Sequence, residues 1–341
     1  MQLIPTRTCG SVVCHTRGVA TPEKKTRHSL SPSGDTSKET GNNVRSVIAV
    51  HNKRRQIHNF ANNGYPVNTS PSMSSVPQPE RVSFQNPKGE TLVGIVTHAL
   101  PCSSNTIPQN SAIVMCHGYT SNKNSCRFKQ IATALAHAGF TTLRFDHPCA
   151  VYGESERHGE FRMGNHGDEV DDIASAVQYL TKDKQMHVIG LIGHSKGGTN
   201  VITYSAEIGD VPLVVNLAGR FQPRCGLEKR FGAGILEKLE RDGPITRNES
   251  WGTWVMRYDD VQERVNLPME AYAARIKEDG RVRMLCLHGR DDATIDCKES
   301  EKCAEIAGCE VRVIPGDHNF TDERDGLGMV QEIVQFFCTS I

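Results

Sequence analysis

The chain has 341 residues, 37% of them hydrophobic and 23% charged, a composition that supports a packed core. Its formal charge is zero, but residues 1–79 carry ten Lys and Arg against three Asp and Glu, so the remainder is acidic by seven. An acidic body argues against nucleic acid as a partner of the folded part, and no apolar run reaches the roughly 18 residues that a membrane span needs.

Residues 1–79 are rich in Ser, Thr, Asn, Pro and Arg and show no sustained apolar period. Such a composition buries too little surface to offset its ordering entropy, which predicts a disordered N-terminal extension. Its first acidic residue, Glu23, follows Arg7 and Arg17. An acid-poor, hydroxyl-rich, basic start has the composition of an organellar transit peptide. A plain extension, or a working start at Met73, fits equally well. The expected location is therefore the cytoplasm, or a plastid or other organelle if the extension is a transit peptide. Twelve cysteines are scattered without a Cys-x-x-Cys pair, and Cys297, Cys303 and Cys309 have the spacing of neither a zinc knuckle nor a redox pair. They read as reduced thiols of an intracellular protein.

From residue 80 onward strand-like and helix-like segments alternate. Ala112–Cys116 is a short apolar run, and Phe128, Ile131 and Leu135 mark a helical face behind it. Thr141–Phe145 is a second buried strand. Val170, Ile173, Val177 and Leu180 have helical spacing, and the run from His187 to Ile192 is the next strand. Val211–Asn216, Val282–Leu287 and Val311–Ile314 are three more, and Val330, Ile333, Val334 and Phe337 mark a closing helix. Strands separated by helices predict an α/β domain over residues 80–341, with a mostly parallel sheet and helices on both faces. In such sheets ligands sit outside the carboxyl ends of the strands, so the residues following each strand are the ones to inspect.

After the first of these strands comes His117-Gly118-Tyr119-Thr120, where a glycine lets the backbone approach closely and frees the Tyr119 N–H as a donor. After the His187–Ile192 run comes Gly193-His194-Ser195-Lys196-Gly197. Strand, sharp turn and helix in that order push a serine hydroxyl into a cleft, and flanking glycines avoid collision. The Tyr119 and Lys196 N–H groups are the expected pair of donors to a developing oxyanion. After Val282–Leu287 comes His288-Gly289-Arg290-Asp291-Asp292, which offers Asp291, Asp292 or Asp296 as a carboxylate to orient a histidine; the motif register favours Asp292. After Val311–Ile314 comes Gly316-Asp317-His318. The expected catalytic set is Ser195, Asp292 and His318. His117, His194 and His288 read as packing or supporting residues. His147, His158 and His166 lack a ligand spacing, so neither metal nor cofactor is expected.

Together these features resemble the α/β-hydrolase superfamily, and more narrowly its serine-aminopeptidase-like branch with the cinnamoyl and feruloyl esterases. The pieces that carry the resemblance are His117–Lys123, Leu143-Arg144-Phe145-Asp146, Gly193–Gly198, His288-Gly289-x-x-Asp292 and Gly316-Asp317-His318. Asn216–Phe221 followed by Gly226-Leu227-Glu228 is similar to uncharacterised plant and fungal members. The resemblance implies an eight-stranded-type α/β-hydrolase sheet, a helical cap insertion at about 220–280, and Ser195, Asp292 and His318 acting in the order Ser, Asp, His. It implies a cofactor-free serine esterase acting on a small-molecule ester. A peptidase or amidase, a thioesterase, and a hydrolase-like small-molecule receptor are the alternatives. The segment Asp146–Ser155 departs from the short Gly-x-Gly-x-Ser loop that relatives carry.

Overall fold

A computed structural model describes residues 79–101 and 107–341. The expectations for the N-terminal extension, including Met73, lie outside the described residues. The first strand, β1 (Pro79–Gln85), pairs antiparallel with β2 (Thr91–Thr97). The strands β3 (Ser111–Cys116), β4 (Thr141–Phe145), β5 (His187–His194), β6 (Leu213–Leu217), β9 (Arg283–Gly289) and β10 (Glu310–Ile314) run parallel to one another. With the antiparallel β2–β4 pair they form one eight-stranded sheet in the order β1-β2-β4-β3-β5-β6-β9-β10. The edge strand β1 alternates exposed and buried residues along its second half, whereas every residue of β3, β4 and β6 is buried, as expected where helices cover both faces.

One face is covered by α1 (Phe128–His137) and α9 (Glu323–Thr339), whose Phe128, Ile131, Met329, Ile333, Phe336 and Phe337 pack on Ile113, Ile192 and Leu285. The other is covered by α2 (His166–Gln178), α3 (Lys196–Glu207), α7 (Met269–Asp279) and α8 (Lys298–Ala307). A π-helical turn, Tyr179–Asp183, closes α2 and feeds β5.

Between β6 and α7 the chain builds a third core of its own. It contains α4 (Leu227–Phe231), α5 (Ile235–Asp242), the hairpin β7 (Ile245–Glu249) and β8 (Gly252–Met256), and α6 (Tyr258–Val265). Phe231, Ile235, Leu239, Trp254, Met256 and Val261 fill it, joined by Phe161 and Met163 from the segment before α2. The expected boundaries of this insertion shift in one respect. Ala273 and Ile276 of α7 pack in the core of the main sheet, so the insertion ends before Met269. The helical period of α7 gives no sign of which core receives its apolar face. The hairpin was not expected either, because its strands are half-exposed and only five residues long. Among the described residues no helix is long and apolar enough to cross a membrane.

Candidate active site

The sheet register sets the site. Cys116 of β3 lies opposite Gly193 of β5, so two residues further along each chain Gly118 meets Ser195. A Cβ at Gly118 would sit 2.9 Å from the Ser195 Cβ and 3.2 Å from the His194 carbonyl oxygen, so only glycine brings this backbone so close. Ser195 has φ 56° and ψ −116°, a sparsely populated conformation that costs on the order of 1–3 kcal/mol. The surrounding turn over-determines it. A Cβ at Gly193 would run into the Gly197 carbonyl, one at Gly197 would run into the Cys116 carbonyl, and the Ser195 N–H donates to the Leu217 carbonyl at 3.0 Å.

Ser195, Asp292 and His318 come from three strand ends and meet. The Ser195 hydroxyl and His318 Nε2 are 3.0 Å apart, and His318 Nδ1 lies 2.7 Å from Asp292 Oδ2. The Asp292 side chain is inaccessible to solvent. Its Oδ1 accepts from the Thr294 and Ile295 N–H groups at 2.7 and 2.8 Å, and its Oδ2 also accepts from His288 Nε2 at 3.1 Å. Burial opposes its charge, but the hydrogen bonds from His288, His318 and Ile295 outweigh that and hold its carboxyl well below the usual range. Asp291 and Asp296 do not reach His318: the Asp291 N–H donates to the Gly316 carbonyl, and Asp296 accepts from the Lys298 N–H.

The histidines read from sequence as packing or supporting residues hold this geometry. His288 Nε2 faces two acceptors, Asp292 Oδ2 and the Ile295 carbonyl, so it carries the proton, and its Nδ1 accepts from the Ser300 hydroxyl at 2.7 Å. His194 donates from Nε2 to the His318 carbonyl at 2.8 Å and packs its ring 4.9 Å from that of His318; burial, then the neighbouring His318, push it down to about 3, so it is neutral. His117 donates from Nδ1 to the Gly118 carbonyl at 2.9 Å, while its Nε2 accepts from the His147 N–H at 3.0 Å. The Gly118 carbonyl also accepts from the Ser121 N–H at 3.1 Å. In a trans peptide the N–H points opposite the C=O, so these bonds fix the direction of the Tyr119 N–H. On the far side Arg127 donates to the Phe320, Thr321 and Asp322 carbonyls and clamps the His318 loop onto α1. A lone histidine near a strand end carries no spacing signal, so sequence reading left packing and supporting roles open and named none of these partners.

Beneath the serine lies a buried polar cluster that sequence reading also missed. The Lys196 ammonium donates to Glu169 at 2.8 Å and to Asn165 at 2.6 Å, and Glu169 accepts as well from the Cys149 thiol and the Asn200 amide. Burial would raise the Glu169 carboxyl, but Lys196, with His147 and His166, holds it well below its ordinary value. A carboxyl lowered in the folded state contributes stability that is complete above its unfolded value and is lost as pH falls toward its folded one. Glu169→Gln, which strands the Lys196 charge, should cost about 3–5 kcal/mol at neutral pH. Chemical denaturation should show that gap, narrowing only below about pH 4.

The segment Asp146–Ser155 is stapled from below. Asp146 accepts from the Lys123 ammonium at 2.5 Å, the Lys123 N–H at 2.7 Å and the Glu154 N–H at 2.8 Å. Two of the recognised motifs, ending at Lys123 and at Asp146, are thereby joined by one buried ion pair.

A cavity of about 330 Å³ opens onto Ser195, within the range of small-molecule sites. Tyr119, Ser195, Lys196 and Thr199 line it from the sheet side; Phe231, Arg230, Arg264 and Leu267 line it from the insertion. The tryptophans of the insertion do not reach it. Trp254 is buried in the third core, where its ring packs 5.4 Å from that of Phe161 and 6.4 Å from that of Trp251. The cavity wall holds five cationic side chains, Lys196, Arg220, Lys229, Arg230 and Arg264, and no carboxylate among the described residues. Among the described residues no group of three His, Cys, Asp or Glu is arranged to hold a metal ion.

Residues 108–267 match the family described as serine aminopeptidase, S33. That stretch contains the serine turn and most of the insertion but neither Asp292 nor His318. No curated protein matches the chain. Among solved structures, Est1E from Butyrivibrio proteoclasticus is 16% identical, with 76% of this chain and 98% of that one covered and a TM-score of 0.56. An esterase from Pyrococcus furiosus is 17% identical, with 82% and 97% covered and a TM-score of 0.56. The α/β hydrolase GrgF from Penicillium sp. sh18 is 16% identical, with 76% and 98% covered and a TM-score of 0.57.

Proposed function

From an α/β-hydrolase fold whose residues 108–267 carry the serine aminopeptidase pattern, we propose a serine hydrolase that cleaves carboxylic esters through an acyl-enzyme on Ser195. The observation that carries this reading is the chain of contacts from Ser195 Oγ to His318 Nε2, 3.0 Å, and from His318 Nδ1 to Asp292 Oδ2, 2.7 Å, at the floor of a cavity. His318 takes the proton as Oγ attacks the ester carbonyl, and Asp292 stabilises the imidazolium that results. The negative oxygen of the tetrahedral intermediate is received by the Tyr119 and Lys196 N–H groups. Lys196 opens α3, so its N–H has no partner within the helix. The imidazolium then protonates the departing alcohol. Water, deprotonated by the same histidine, releases the acid and restores Ser195. The insertion serves as the cap that excludes bulk water from these steps.

An ester substrate is preferred over a peptide amine on one ground. An aminopeptidase has to hold the free ammonium of its substrate, and the cavity wall offers cations for that task. The test is turnover of p-nitrophenyl acetate and butyrate by the full chain. Multiple turnovers support the reading; none, with intact folding by circular dichroism, would defeat it. Ferulic acid is bound by Est1E, so hydroxycinnamate esters belong beside the aliphatic ones in the panel.

Gly118→Ala probes the close backbone approach that aims the Tyr119 N–H, with all three reacting side chains still present. The new methyl group meets the Ser195 Cβ and the His194 carbonyl, and displaces the Tyr119 N–H from its aim. A fall in kcat of about 10²-fold with unchanged far-ultraviolet circular dichroism is expected.

A further inference from the structure

The five cations around the cavity are not equally compensated. Lys196 is paired with Glu169, and Arg220 with Glu299. Lys229, Arg230 and Arg264 have no carboxylate within ion-pair reach among the described residues. Lys229 donates to the Ala293 carbonyl at 3.1 Å. Arg264 uses Nε and Nη2 on the Pro223 and Cys225 carbonyls, at 3.0 and 3.1 Å, and leaves Nη1 without an acceptor among the described residues. The Arg230 guanidinium lies over the Tyr119 ring, 4.6 Å from its centroid, and donates to no protein acceptor among the described residues.

Three like charges beside an apolar concavity repel one another and raise the local positive potential. Burial, then the adjacent Arg220 and Arg230, push the Arg264 guanidinium down to about 10, so it stays charged at neutral pH while bearing a desolvation cost. That cost is relieved by an anion in the cavity, and nothing in the cavity wall supplies one. The alternative, that these side chains only brace α4 and α6, accounts for the Arg264 and Lys229 bonds to carbonyls. It also accounts for the stacking of Arg230 on the Tyr119 and Phe231 rings, but it leaves the N–H groups of Arg230 and Arg264 Nη1 without a protein acceptor among the described residues.

We propose that the ester cleaved at Ser195 carries a carboxylate, received by Arg230 and Arg264 with Lys229 at the rim. A planar two-oxygen anion matches the guanidinium fork. The proposal rests on the reading of Ser195 as an ester-cleaving nucleophile and adds the substrate class.

The test is kcat/KM of the full chain on matched ester pairs. Mono-p-nitrophenyl glutarate against p-nitrophenyl valerate places the charge in the acyl part. 4-Carboxyphenyl butyrate against 4-methylphenyl butyrate places it in the alcohol part, and a phosphate-bearing aryl butyrate is the third arm. In one of the first two pairs the acid-bearing ester is expected to exceed its neutral partner by about tenfold or more, and the excess is expected to shrink with added salt. Arg230→Gln and Arg264→Gln should each lower that ratio about tenfold. Arg230 is exposed, so its variant stays informative if the Arg264 variant fails to fold. Neutral esters cleaved as well as the acid-bearing ones, a ratio unmoved by the substitutions, or preference for the phosphate-bearing ester would overturn the proposal while leaving the hydrolase reading standing. No turnover of any ester would instead defeat the hydrolase reading itself.

Discussion

Replacing Ser195 with alanine is expected to lower kcat on p-nitrophenyl butyrate by about 10⁵–10⁶-fold, with the fold intact. The hydroxyl is the only group lost, and His318, Asp292 and the donor pair remain in place around the gap. Residual turnover over water, about 10³–10⁴-fold, should persist because the N–H donors and the cavity still bind the carbonyl. The substitution also separates catalysis from packing. Ser195 sits at a strained φ of 56°, and alanine has the same Cβ, so the turn keeps its strain and the thermal midpoint should move by little. A large fall in stability with modest loss of turnover would mean that the serine is a structural element of the turn.

The second large effect is expected at Asp292. Asp292→Asn should lower kcat about 10⁴-fold at neutral pH, for a reason specific to this loop. Asp292 Oδ1 accepts from two backbone N–H groups, those of Thr294 and Ile295. The asparagine oxygen has to take that position, because an amide NH₂ cannot accept. The NH₂ then replaces Oδ2 and points its hydrogens at His318 Nδ1 and His288 Nε2. His318 is forced to carry its proton on Nε2, where it can no longer take one from Ser195. His288 already holds a proton on Nε2, because Ser300 donates to its other nitrogen, so a donor there meets a donor. A combined substitution, Asp292→Asn with His288→Gln, relieves the second clash without correcting the first. It should recover stability in thermal melts while leaving kcat low. Recovery of both would show that the loss came from a distorted loop and not from the histidine tautomer.

The fold and the three meeting side chains were legible because strand ends punctuate the sequence. His117-Gly118, Gly193–Gly197, His288–Asp292 and Gly316–His318 each follow an apolar run, and a parallel sheet gathers those ends on one rim. The choice of Asp292 over Asp291 and Asp296 rested on register, and its carboxylate is the one that faces His318. The contacts of the supporting residues were hidden for a physical reason. His288 reaches Ser300 from twelve positions away, Lys196 reaches Glu169 from twenty-seven, and Arg127 reaches the Phe320 carbonyl from the next helix over, so none carries a local pattern. The limits of the insertion were blurred likewise. The helix Met269–Asp279 shows a helical face that suits either core, and only packing assigns it to the main sheet. The cationic wall came from the insertion folding back, with Arg230 and Arg264 on different helices, α4 and α6.

The most direct test of the central claim is covalent capture. The full chain, treated with a fluorophosphonate and digested, should yield one phosphonylated peptide with the adduct on Ser195 by tandem mass spectrometry. Labelling should be abolished in Ser195→Ala and strongly slowed in His318→Ala. A folded protein that takes no adduct at Ser195, or labels as fast without the histidine as with it, would contradict a nucleophile activated by His318.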